Sequence, residues 1–149
     1  MIRDAIAMTG MFTELAVLFF WSFLAATIFP LGSEPALVAL TRSSERLWPL
    51  LLVATLGNYL GACTTYGIAR AAAAKAAARL ESKSGQRAVR MLDRYGRPAL
   101  LLSWVPLIGD AIVAAAGVVK VPFAPFSVWV VIGKVARYAA VIWLARQTQ

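Results

Sequence analysis

Apolar residues gather in four runs, roughly Met11 to Leu40, Leu47 to Ile68, Ala99 to Val119 and Phe123 to Ala145, and most of the basic residues lie between the second and third. A helix needs about 20 apolar residues to cross a bilayer core of about 30 Å, so the pattern predicts four membrane-embedded helical segments. Runs one and three are each broken, by FPLGSEP at Phe29 to Pro35 and by VPLIGD at Val105 to Asp110. Proline removes a backbone donor, and an opened helix leaves N–H and C=O groups that cost several kcal/mol each in lipid. Such breaks survive only inside protein or beside water. Phe23 to Leu40 and Ala99 to Val119 therefore read as re-entrant helical hairpins, with Leu31 to Ser33 and Leu107 to Gly109 at their tips.

The two halves match each other at one offset of 76 residues: Pro30 falls on Pro106, Leu31 on Leu107, Pro49 on Pro125, Gly57 on Gly133, Arg70 on Arg146, and the acid Glu34 on the acid Asp110. Each half is then a hairpin followed by an unbroken helix. A hairpin returns to its own side and the helix crosses once, so the second half starts on the opposite face and the repeats are inverted. The predicted fold is a single all-α integral membrane domain, residues 1–149, with repeat 1 over about 20–70, a basic helical linker over about 70–97 and repeat 2 over about 98–146. The alternative is four full spans kinked at Pro30 and Pro106, which puts both termini inside rather than outside.

The linker carries Arg70, Lys75, Arg79, Lys83, Arg87, Arg90, Arg94 and Arg97 against Glu81 and Asp93. Basic residues concentrated in a short loop between apolar segments place that loop in the cytoplasm, and they are also attracted to anionic headgroups. Its alanine-rich start, Ala71 to Leu80, predicts a helix that Gly85 ends. A second helix is expected near Gln86 to Tyr95, stopped by Gly96 and Pro98 and lying on the membrane surface with Val89 and Leu92 on one side.

Composition narrows the function. Of 149 residues 60% are hydrophobic and 15% charged, far from a soluble domain. The first apolar run continues past any signal-peptide cleavage site and is expected to stay. Most of the net charge of +8 sits in the linker rather than in a nucleic-acid motif, so no nucleic-acid role is expected. There is no histidine and one cysteine, Cys63, which argues against zinc clusters, Cys/His catalysis and disulfide scaffolds. No metal, cofactor or catalytic residue is expected, and the chain is not read as an enzyme.

The remaining chemistry is intramembrane charge. Glu34 and Asp110 would sit at the two tips, next to the turn residues Pro30, Gly32, Ser33 and Pro35 in one and Pro106 and Gly109 in the other. Either acid can cap the helix that follows it, Asp110 one beginning at Ala111, or can pair with a cation or exchange a proton. Lys134 and Arg137, three apart in the last run, share a helical face. They either neutralise those acids or bind an anionic headgroup, a task for which arginine is a bidentate fork and lysine a point charge. Asn58, the repeat counterpart of Lys134, is expected in the same cavity, and Ser103 and Trp104 can line it. Gly57, Gly61 and Gly133 read as helix-packing positions, and the Gly57-x-x-x-Gly61 face is a candidate homodimer surface. Tyr66, Arg70, Trp129 and Trp143 read as interfacial anchors.

The order FPLGSE, GNYLG, YGIAR, DRYG, LLSWVPLIGD, AGVVKVPFAPF and GKVARY resembles the DedA family, also called SNARE-associated or VTT-domain membrane proteins, and most of all its short YqaA-type branch. The resemblance runs from about Phe23 to Trp143. It implies two re-entrant hairpins in inverted repeats and movement of lipids across a membrane, with polyprenyl phosphates or phosphatidylethanolamine as substrates and the proton-motive force as a driver. It makes Glu34 the first-hairpin acid, and Gly57, Gly61, Tyr66, Gly67, Arg70, Gly96, Pro106, Gly117, Pro122 and Phe126 framework positions. The chain departs from the family at the second tip. Ser103 and Gly109-Asp110 flank Pro106 where the family carries arginines, so their phosphate-binding role is not carried over, and Lys134 and Arg137 are expected to compensate.

The expected function is transport of a phosphate-bearing lipid in the cytoplasmic (inner) membrane, coupled to protons through Glu34 and Asp110. Its partners would be membrane lipids with anionic headgroups. The alternatives are a proton-coupled exporter of small or cationic compounds, and a non-transporting membrane scaffold.

Overall fold

The computed structural model describes residues 2–27, 37–38, 47–73, 75, 81–105 and 108–147, with side chains from Gly10 onward. Pro30, Gly32, Ser33, Glu34, Pro35 and Pro106 lie outside the described residues, as does most of the Ala71 to Leu80 stretch. All regular structure among the described residues is helical: α1 (Ile2–Ala25), α2 (Leu47–Ala71), α3 (Lys83–Tyr95), a 3-10 segment (Arg97–Trp104), α4 (Ile108–Val118) and α5 (Phe123–Gln147).

α2 and α5 are long and apolar enough to cross a membrane, at 25 residues each. That is about 37 Å at 1.5 Å per residue. They begin and end one 76-residue offset apart to the residue, Leu47 with Phe123 and Ala71 with Gln147. Pro49 and Pro125 stand third in their helices, where the backbone N–H has no helical partner to lose.

The two long helices run antiparallel. Tyr59, in the middle of α2, donates its hydroxyl to Ser127 Oγ at 2.7 Å, and Tyr66, later in α2, stacks on Phe126, earlier in α5, with ring centroids 4.3 Å apart. Two apolar clusters lie at the two ends of this pair. One contains Leu37, Leu50, Ala54, Tyr138 and Ile142; the other contains Val113, Phe126, Val130, Ala62 and Tyr66. Taken in that order, each residue of the first is 76 positions from its counterpart in the second, so the sequence repeat recurs in the packing of the core.

α1 runs parallel to α2. A Cβ added at Gly57 would strike the Phe19 carbonyl, one at Gly61 would lie 2.6 Å from the Phe23 carbonyl, and Thr65 Oγ1 donates to the Ala26 carbonyl at 3.3 Å. The Gly57-x-x-x-Gly61 face, expected as a homodimer surface, is thus filled by α1 of the same chain. Missing side chains let the backbones approach, as between membrane helices generally. A first hairpin was expected to begin at Phe23, but Phe23 lies near the end of a helix continuous from Ile2. The chain has turned back by Leu37, which packs at the opening end of α2.

In the second half the 3-10 segment and α4 are each about 16 Å long at 2.0 and 1.5 Å per residue. Neither is long enough to cross about 30 Å of hydrocarbon alone. They lie side by side, with Gly109 against the Ser103 backbone. The opposite end of α4 reaches the end of α2, where a Cβ on Gly117 would lie 2.5 Å from the Tyr66 carbonyl. α4 stops in a Schellman turn, with Lys120 N–H to Gly117 O at 3.1 Å, Val121 N–H to Ala116 O at 2.9 Å and Lys120 at φ 58°. That reversal starts α5 five residues later.

The linker differs from expectation in one respect. Gly85 does not end a helix; it lies buried in the first turn of α3, which starts at Lys83 because Ser82 caps it, accepting from Gly85 N–H at 3.1 Å. α3 ends at Gly96 (φ 63°) as anticipated, and its apolar side, Gly85, Ala88 and Leu92, is buried, with the helix packed on α4.

Candidate functional site: a buried polar centre

Among the described residues, the fully or nearly buried polar side chains are Ser22, Thr55, Asn58, Ser103 and Lys134. Asn58 and Lys134 are repeat counterparts, each one residue short of the midpoint of its 25-residue helix. They fall between the two apolar clusters, at the level where antiparallel α2 and α5 cross.

Lys134 is 2% exposed, and its Nζ donates to the Ser103 carbonyl at 3.0 Å. That carbonyl belongs to the last turn of the 3-10 segment, where helical acceptors run out, so the lysine covers a backbone acceptor opened by the break and the negative end of the segment's dipole. Gly133 makes this possible: its missing side chain leaves the Leu101 carbonyl room to approach, 2.6 Å from where a Cβ would be. Among the described residues, Asp110 supplies an opposite charge that acts on Lys134. It was expected as the cap of a helix beginning at Ala111. Instead α4 starts at Ile108 and Asp110 lies in its first turn, where a carboxylate favours the positive end of the helix.

Four buried oxygens in this region have no hydrogen-bond partner: Ser22 Oγ, Thr55 Oγ1, Asn58 Oδ1 and Ser103 Oγ. Buried polar atoms are nearly always satisfied, so a centre with spare hydrogen-bonding oxygens, a lysine and a carboxylate among its described residues is suited to water or to a polar group. Ser22 is within reach of Gly57, 3.2 Å from its ideal Cβ, which ties α1 to the same level. Sequence reasoning missed Ser22 and Thr55; a hydroxyl on an apolar helix carries no signal of which way it faces.

Of the predicted residues, the structure brings Lys134, Ser103, Gly109 and Asp110 together and sets Asn58 at their depth. Arg137 is half-buried one turn on, its guanidinium 5.9 Å from the Tyr138 ring centroid. Trp104 is 43% exposed and does not line the centre. Tyr66 is a correction: expected at the membrane interface, it is 4% exposed, donating to the Val121 carbonyl at 2.6 Å and accepting from Arg70 Nη1 at 3.0 Å. Trp129 is packed against the core while Trp143 stays exposed. A separate cavity of about 230 Å³ opens between the ends of α1, α2 and α4, lined by Thr27, Thr65, Ala69, Lys75 and Ala114.

Among the described residues all regular structure is helical, two helices are long and apolar enough to span, and many large Phe, Trp, Leu and Val side chains are exposed, the character of a membrane protein. The VTT domain family matches residues 29–147, and the chain belongs to that family. It is 39% identical over 125 residues to the inner membrane protein YqaA of Escherichia coli, covering 83% of this chain and 85% of that one, and equally similar to YqaA of Shigella flexneri. An uncharacterized protein of Haemophilus influenzae is 38% identical over 142 residues, 89% of this chain and 87% of the other. No solved structure matches.

Proposed function

We propose that this protein carries a phosphate-bearing lipid, a polyprenyl phosphate or a phospholipid, across the cytoplasmic membrane. The observation that carries the reading is Lys134, a lysine 2% exposed one residue from the midpoint of a helix long enough to span, within electrostatic reach of Asp110. A charge buried within a membrane is costly and usually marks a substrate or proton path. Three features support reading it as an inverted-repeat carrier, whose broken helices meet near the midplane: paired apolar clusters one repeat apart, antiparallel α2 and α5, and two half-length arms that we read as a re-entrant hairpin. The basic linker orients the end of α2 and the base of the second hairpin to the cytoplasm. In this reading the headgroup phosphate exchanges with Ser103 and Asp110 for the Lys134 ammonium, Asn58 and the unpartnered hydroxyls supply hydrogen bonds, and Asp110 releases or takes up a proton as its partner changes.

Reconstitution into liposomes tests this. Wild type is expected to translocate labelled phosphate-bearing lipid, and Lys134→Ala to insert normally but lose translocation. Unchanged lipid movement by Lys134→Ala sinks the proposal, and solute flux driven by a pH gradient without lipid movement assigns the chain to small-molecule export instead.

A further inference from the structure

α3 divides into four faces at 100° per residue. Gly85, Ala88 and Leu92 are buried on one side, and α3 packs on α4. On the opposite side Lys83, Arg87, Arg90 and Arg94, spaced by four, three and four, are all exposed. Gln86 and Asp93, both exposed, share one flank; Met91, half-buried, and Tyr95, 58% exposed, share the other. Arg94 stands over the Tyr95 ring, 5.4 Å from its centroid.

These faces fix the depth of the helix. At Gly96 α3 passes directly into the 3-10 arm that enters the bundle, so it lies at the base of the second hairpin. The Met91 and Tyr95 flank is the one suited to the hydrocarbon boundary, where tyrosine concentrates, and the Gln86 and Asp93 flank suits water. The basic face then points sideways, along the plane of the headgroups. Topology accounts for the number of cations on this side of the membrane. It is indifferent to their angular position, and an ordinary solvated face would mix them with Gln86 and Asp93.

We propose that the Lys83, Arg87, Arg90 and Arg94 face of α3 is a docking strip for anionic headgroups of the adjoining leaflet, holding such lipids beside the second hairpin. It rests on the cytoplasmic orientation of the linker given above but not on transport. Guanidinium groups spaced along a helix grip phosphate oxygens in pairs, and each basic residue near a charged surface contributes about 1 kcal/mol, or about fivefold in binding.

The test uses the full chain in phosphatidylcholine nanodiscs carrying a trace of spin-labelled phosphatidylglycerol or phosphatidylcholine, reading the motionally restricted fraction. Phosphatidylglycerol is expected to be enriched several-fold over phosphatidylcholine, with the enrichment falling steeply at about 1 M salt, where charges are screened within about 3 Å. Arg87→Gln/Arg90→Gln should bring phosphatidylglycerol close to the phosphatidylcholine level, since each charge removed costs up to about fivefold, while Lys75→Gln/Lys120→Asn, which removes equal charge elsewhere, should leave the enrichment. Equal enrichment of the two lipids by wild type overturns the proposal, as does an equal loss in both double variants, which would make net charge the cause. Capture of an RNA oligonucleotide or a polyglutamate peptide that depends on Arg87 and Arg90, with no preference among lipids, also overturns it and assigns the strip to a soluble polyanion. Transport assays do not enter, so failure of the carrier reading and failure of this one are separable.

Discussion

Two glycines of α2 should respond to the same substitution with opposite signs. Gly67 is exposed, with nothing within 4 Å of where a Cβ would stand, whereas a Cβ on Gly61 would lie 2.6 Å from the Phe23 carbonyl and 2.7 Å from the Ala26 Cβ. Alanine in place of glycine in a helix interior is worth about 1 kcal/mol, and Gly67→Ala should gain it in full. Gly61→Ala gains the same but must push α1 away from α2, and because the obstacles are a backbone carbonyl and a helix-bound methyl, neither can swing aside. Overpacking of this kind costs about 1–3 kcal/mol, which leaves a net change between about zero and a loss of about 2 kcal/mol. The midpoint shift in a domain of this size is about 2–4 °C per kcal/mol. Thermal unfolding of the purified chain in detergent, followed by tryptophan fluorescence, should therefore rank Gly67→Ala above wild type and Gly61→Ala at or below it. Gly133→Ala, pressed against the Leu101 carbonyl, should fall with Gly61→Ala. If Gly61→Ala and Gly67→Ala are equally stabilised, the packing of α1 in the glycine groove of α2 is refuted.

Tyr66→Phe keeps the stack on Phe126 but leaves the Val121 carbonyl without its hydroxyl donor; a loss of about 1 kcal/mol in the same assay is expected, and none would mean that Tyr66 does not hold the α4–α5 turn. Ser82→Ala removes the cap of α3 and should cost about 1 kcal/mol locally, seen as faster amide exchange over Gly85 and Gln86 with α2 and α5 unchanged.

Much of the fold was legible because backbone chemistry in lipid is unforgiving. A break was expected within the third apolar run since an opened helix has nowhere to put its polar groups, and the 3-10 segment ends at Trp104 before α4 begins at Ile108; the expected starts of the second and fourth runs, Leu47 and Phe123, are those of α2 and α5. Gly96 ended α3 for a local reason, its positive φ. Asp110 and Lys134 were visible as candidate site residues because charge in an apolar run is expensive wherever it points.

Tertiary structure decided what faces what. Leu50 is buried while Leu52, Leu56 and Leu60 are exposed on the same helix, and no hydropathy scale separates them, since lipid tails are as apolar as a protein core. For the same reason Tyr66 read as an interfacial anchor although it is a core residue, and Gly57 and Gly61 read as a surface between copies although α1 covers them. A lysine and a serine 31 residues apart give no sign in sequence that the amine of Lys134 will meet the carbonyl of Ser103. The sequence determined where the chain must break, which segments repeat and which charges lie in the membrane. Only packing decided that Lys134 meets the Ser103 carbonyl at the end of the 3-10 segment, because a backbone carbonyl is present at every residue and becomes a partner only where a neighbouring helix brings a donor within reach.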